Sequence, residues 1–157
     1  MINREKEFMQ EAIKLSIKSV NSGGGPFGAV IVKDKEIIAK ASNSVTKDND
    51  PTAHAEINVI RIAAEKLNNF DLSGCEIYSS CEPCPMCLGA IYWARLDKIY
   101  FAGNKTDATN AGFDDSFIYD EIDKPFYKRN IPTKQILRED AIKAFESWCD
   151  KKDKIEY

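Results

Sequence analysis

The segment CEIYSSCEPCPMCLGAIYWARLDKIYFA, residues 75–102, carries a strand, a helix and a strand in that order. Cys75 to Ser79 and Lys98 to Ala102 are short runs rich in β-branched and aromatic residues, which predicts strands. Between them, Pro83 to Arg95 predicts a helix, opened by a proline that tolerates the first turn. Alternation of this kind predicts parallel pairing in this half of the chain and helices layered on the sheet.

Upstream, Phe8, Ala12, Leu15 and Ser16, flanked by Met9, Ile13 and Val20, form a helical stripe over about residues 4–20. Gly23-Gly24-Gly25-Pro26 breaks it. Phe27 to Lys33 and Glu36 to Ala41 predict two strands joined by the turn Asp34-Lys35, a hairpin. Asp50-Pro51-Thr52 has helix-start chemistry, predicting a helix from about Ala53 to Leu67 with Ile57, Ile60, Ala63, Ala64 and Leu67 inward. Downstream, Gly103 to Lys128 reads as loop with at most a short helix, Thr133 to Leu137 as a fifth strand, and Ala141 to Lys151 as a final helix. The expected fold is α/β, a three-layer α/β/α sandwich with a central five-stranded mixed sheet.

The 157 residues fit one domain, 1–157, of ordinary globular balance, with 43% hydrophobic and 30% charged residues. No apolar stretch is long enough to span a membrane. Met1 to Glu11 has no apolar leader core, so a soluble, cytoplasmic protein is expected. The net charge of −3 argues for a small substrate over a long nucleic acid. The five cysteines are an odd number, and three crowd between Cys81 and Cys87, a pattern suited to a metal and not to disulfides.

The sole histidine lies in His54-Ala55-Glu56, at the start of one predicted helix. Pro83-Cys84-Pro85-Met86-Cys87 starts another. Cys84 and Cys87, three apart, share a helical face and pinch one ion as thiolates. His54 and Glu56, two apart, converge only on a centre near the helix end. One imidazole and two thiolates leave a tetrahedral Zn2+ with an open position for water, and Glu56 free to move protons. H-x-E with P-C-x-x-C is the signature of zinc nucleobase deaminases. Two other readings stand beside it: a redox CxxC pair, and a zinc-stapled binding module closed by Cys81 as fourth ligand.

GGPFGAVIVKD (residues 24–34), DPTAHAEINVIR (50–61) and SSCEPCPMCLGAIYWAR (79–95) resemble the cytidine deaminase superfamily, in the branch holding guanine, cytosine and tRNA adenosine deaminases. AGFDDSFIYDEI (111–122) and the terminal Tyr157 resemble the bacterial guanine deaminases. The resemblance implies a five-stranded mixed sheet, a homodimer, zinc bound by His54, Cys84 and Cys87, and Glu56 as proton shuttle. It further implies hydrolysis of guanine to xanthine and ammonia, with Asn43 and Asp115 on the purine and Tyr157 closing the pocket. Guanosine, cytosine or tRNA adenosine are alternative substrates. From the residues alone, Asn43 is an ordinary turn asparagine and Asp114-Asp115 are solvated loop acids. Asp114 stays beside Asp115 as a candidate. Phe27 and Trp93 read as core residues, with stacking on a flat base as the other option.

Overall fold

The computed structural model describes residues 4–157. Met1 to Asn3, part of the stretch read above for a leader, lie outside the described residues. The chain forms two compact units, residues 1–116 and 117–157.

In the first unit, α1 (Arg4–Asn21) precedes the hairpin of β1 (Gly28–Lys33) and β2 (Glu36–Ser42). The turn between them places Asp34 and Lys35 at φ 51° and 64°, the left-handed pair that suits the twist of a tight hairpin. A short helix α2 (Val45–Asp48), not expected from the sequence, leads to α3 (Ala55–Leu67). Then come β3 (Cys75–Cys81), α4 (Pro85–Trp93), β4 (Lys98–Gly103) and α5 (Lys105–Asn110).

Among the described residues, the sheet has four strands in the order β2-β1-β3-β4. β1 pairs antiparallel with β2 and β3, and β3 pairs parallel with β4, as the α4 crossover requires. Alternate residues of β1 face opposite layers. Val30 and Val32 join Ala12 and Tyr78, covered by Phe8, Met9 and Leu15 of α1. Ala29 and Ile31 join Ile77, Ala55, Val59, Ala63 and Ile91, the layer covered by α3 and α4. The result is a helix–sheet–helix sandwich around a mixed sheet. On α3 the fully buried positions are Ala55, Glu56, Val59 and Ala63, while Ile60, Ala64 and Leu67 pack at the margin.

The second unit holds the end of α6 (Ser116–Asp123), a 3-10 turn (Phe126–Lys128) and α7 (Arg138–Asp150). The Glu121 carboxylate ties it together, pairing with Lys124 at 2.6 Å and accepting from the Asn130 N–H at 2.7 Å.

The fifth strand expected at Thr133–Leu137 is absent: these residues form no ladder. Pro132 before them lacks a donor, and Leu137 turns left-handed at φ 52° to start α7, so no extended run survives. The expected loop after Gly103 instead folds locally. Asn104 and Asp107 form a reciprocal capping box that starts α5.

Gly28 marks the closest approach of α1 to the sheet. A Cβ there would lie 2.4 Å from the Ala12 carbonyl oxygen and 2.7 Å from the Ser16 nitrogen, both backbone atoms. Gly28→Ala is therefore expected to cost about 1–3 kcal/mol by forcing α1 off the sheet. Urea unfolding checks it, and an unchanged midpoint would contradict the packing described.

Candidate active site

Asp50 Oδ1 accepts from both the Thr52 N–H (2.8 Å) and the Thr52 hydroxyl (2.7 Å), closing a turn just before α3. The helix then begins at Ala55, two residues later than expected, and His54 becomes its N-cap with extended backbone. Cys84 is likewise the N-cap of α4, with Pro85 opening the helix and Cys87 in its first turn. Both helices thus bring their N-termini, with spare N–H groups and positive dipole ends, to the same place.

His54 Nδ1 lies 3.6 Å from Cys84 Sγ and 3.4 Å from Cys87 Sγ. The three ligand atoms all fall within 4.8 Å of one another. A tetrahedral zinc with Zn–S of about 2.3 Å and Zn–N of about 2.0 Å needs N···S separations of about 3.5 Å, so the residues fit the ion. The Cys84 thiol is held down to about 4, chiefly by its interaction with the neighbouring Cys87 and further by His54. Cys87 is pushed up by that same negative neighbour and by burial. Both cysteines bind a cation as thiolates, so metal binding releases their protons.

Cys81 stands apart. Its S–H donates to the Asn104 carbonyl at 3.8 Å, and burial pushes its thiol up to about 11, away from the thiolate that ligates metals. Among the described residues, the metal-competent group comprises His54, Cys84 and Cys87 without it. That is the open three-ligand arrangement, with room for a fourth, exchangeable ligand.

Glu56 is buried in the first turn of α3. Its Oε1 accepts from the Ser79 hydroxyl at 2.8 Å, and its Oε2 accepts from the Cys87 S–H at 3.4 Å. Burial pushes its carboxyl above the ordinary carboxylate range. Ser79 is a residue the sequence reading missed.

Asn43 ends β2's turn towards α2, its Oδ1 accepting from the Val45 N–H at 3.3 Å. The Asn58 amide donates to the Ser42 carbonyl and the Ser44 hydroxyl, each at 3.0 Å, so the backbone on both sides of Asn43 is braced from α3. Phe27 packs against the core and meets Phe113 edge-on, with centroids 4.9 Å apart. Phe113 is thus a second residue that sequence reasoning passed over.

The two acids of the following loop differ. Asp114 is exposed and accepts from the Ser116 N–H (2.9 Å) and hydroxyl (2.6 Å), a local turn that uses its oxygens. Asp115 Oδ1 is buried and has no hydrogen-bond partner among the described residues. Burial raises its carboxyl above the usual value, and the negative charge of Cys84 raises it further, so Asp115 lies within electrostatic reach of the metal group. Trp93 is not core: it is 69% exposed, at the outer end of α4. Tyr157 lies in the second unit, 73% exposed, its ring edge-on to Trp148 at 6.4 Å.

Residues 2–103 match the family described as the cytidine and deoxycytidylate deaminase zinc-binding region. The chain is 54% identical to the guanine deaminase of Bacillus subtilis over 151 residues, 96% of this chain and 97% of that protein. It superposes on the X-ray structure of the Bacillus subtilis guanine deaminase with a TM-score of 0.94 and 53% identity, covering 97% of this chain and 98% of that one. It is 34% identical to the tRNA-specific adenosine deaminase of Aquifex aeolicus over 144 residues, 92% of this chain and 93% of that protein.

Zinc content separates the open site from one closed by Cys81. Purified Cys81→Ser is expected to hold the same zinc per chain as the unmodified protein, and Cys84→Ser to lose most of it. Elemental analysis after dialysis measures both, and zinc loss from Cys81→Ser would contradict the three-ligand centre.

Proposed function

The chain belongs to the cytidine and deoxycytidylate deaminase zinc-binding family, and we propose that the base it deaminates is guanine, giving xanthine and ammonia. It is a zinc-dependent hydrolytic deaminase. The observation that carries the choice of guanine is the buried, unpartnered Asp115 Oδ1 beside the metal group. Guanine presents donors at N1 and its 2-amino group, and a carboxylate is an acceptor with none to give back. Adenine presents an acceptor at N1 and leaves such a carboxylate unmatched, a mismatch that selects strongly against it. The likeness to the Bacillus subtilis guanine deaminase, which extends past residue 103 into the Asp115 loop, supports the same choice.

His54, Cys84 and Cys87 hold the zinc. When bound, zinc lowers the pKa of a water so that it attacks near neutral pH. Glu56 takes a proton from the attacking water and passes it to the ring nitrogen next to C2. As C2 becomes tetrahedral, Glu56 carries the second proton to the departing amino group, and ammonia leaves. Asp115 holds the N1 and amino edge, and Asn43 bonds the other side of the purine. Phe27 and Phe113 flank the ring with an apolar wall. Asp114 is the weaker candidate reader, since Ser116 occupies its oxygens, and Trp93 the weaker stacker. Tyr157 is read as a substrate residue on the resemblance of the C-terminus alone.

The whole chain is read as one deaminase domain, working in the reducing cytoplasm where unbridged cysteines persist. Among the described residues no helix is long and apolar enough to cross a membrane. The chain is also read as a homodimer. α4 carries apolar residues around its circumference, including the exposed Met86 and Tyr92. Light scattering is expected to give twice the 17.7 kDa chain mass, and a monomer at micromolar concentration would contradict the pairing.

Ammonia release is expected from guanine and not from guanosine, adenine or cytosine; release from another of the four would overturn the substrate. Glu56→Gln is expected to keep zinc and lose about 10²–10⁴-fold in kcat. Asp115→Asn is expected to lower kcat/KM for guanine by about 10–100-fold, the worth of a charge-assisted hydrogen bond.

A further inference from the structure

Ser79 occupies a strand position that the fold reserves for apolar side chains. On β3, Cys75, Ile77 and Ser79 face the α3 and α4 layer, whose other members are alanines, valine, leucine and isoleucines. Ser79 is 2% exposed, so its hydroxyl sees no bulk water. A buried hydroxyl in such a layer costs stability unless it is hydrogen-bonded. Its one acceptor is Glu56 Oε1 at 2.8 Å, across 23 residues of sequence. Glu56 is itself 4% exposed. The other carboxylate oxygen, Oε2, lies 3.4 Å from Cys87 Sγ, on the side of the candidate metal ligands.

We propose that Ser79 is a positioning residue for the deamination: by anchoring Glu56 Oε1 it turns Oε2 to the metal side and makes Oε2 the oxygen that carries protons. A carboxylate held at one oxygen has one orientation instead of two, and a proton shuttle must stay within hydrogen-bond reach of both the attacking water and the base. Ser79 makes no contact with the metal ligands or the substrate in this account. It acts through Glu56, so its removal affects the chemical step and not the binding of zinc or base. The inference rests on hydrolytic deamination by this site and is independent of which base is the substrate.

The test is Ser79→Ala, which deletes one oxygen and adds no volume. In zinc-loaded crystals of the unmodified protein, Glu56 Oε1 is expected to stay within hydrogen-bond distance of Ser79. In Ser79→Ala crystals the carboxylate is expected to rotate or occupy two orientations. With guanine, kcat is expected to fall about tenfold or more, with KM and zinc content unchanged. Departure of Oε1 from Ser79 in the zinc-loaded protein, or an unmoved carboxylate in Ser79→Ala, would overturn the proposal. A kcat within twofold of the unmodified protein, or a fall matched by zinc loss, would also overturn it. An unmodified protein inactive on guanine overturns the substrate reading instead, and the crystals, which need no substrate, still decide the role of Ser79.

Discussion

The meeting of two helix N-termini at one buried point is the constraint on which the rest depends. α3 and α4 each begin with a metal-competent side chain in the N-cap position, His54 and Cys84, whose donor atoms, with that of Cys87, lie within 4.8 Å of one another. An N-cap residue is half out of its helix, with extended backbone, so its side chain reaches beyond the helix end to where another helix can also reach. The positive ends of both helices favour anionic ligands there, thiolate above all. The sheet sets the distance. β3 feeds α4 directly, and α3 packs on the same face through Ala55, Val59 and Ala63, so neither helix can slide without opening the core. Glu56 follows from this arrangement, since a carboxylate two residues past the N-cap of α3 turns inward, beside Cys87 and out of water.

What the sequence made legible was local. The hairpin announced itself through two β-branched runs and a two-residue turn. The H-x-E and P-C-x-x-C patterns pointed to His54, Cys84 and Cys87, which the fold brings together as a metal-competent group, because each pattern is set by the spacing within one helix start. Helix α3 began two residues later than the sequence suggested, because Asp50 closes a turn on Thr52 and does not cap the helix. That shift is what makes His54 a cap. Illegible were features made by pieces distant in sequence. Ser79 looks like an ordinary strand residue until α3 sets a carboxylate above it. The apolar character of Trp93 gave no hint that α4 turns it outward, because a helix apolar all round has no stripe to read. Thr133 to Leu137 has strand-like composition, but a strand needs a partner, and the proline before it and the left-handed Leu137 end it too soon.

The Asp114-Asp115 pair shows how adjacent identical residues divide their roles. Asp114 is consumed by the two donors of Ser116, a bond that fixes the start of α6. Asp115 is turned inward, and one of its oxygens is left without a donor. Folding tolerates an orphaned buried acceptor poorly, and the donor-rich edge of the proposed base would supply the missing partners. Phe113 sits two residues before it and meets Phe27 edge-on, so the loop that carries Asp115 is pinned beside the start of β1.

The central claim is that three protein ligands, two of them sulfur, hold the zinc and leave one position open. X-ray absorption at the zinc edge of the purified protein tests it most directly. A three-ligand centre gives two sulfur scatterers at about 2.3 Å and two lighter ones at about 2.0 Å, one imidazole and one exchangeable oxygen. Three sulfurs and one nitrogen, with no light exchangeable ligand, would mean a closed structural site and would contradict the mechanism built on it.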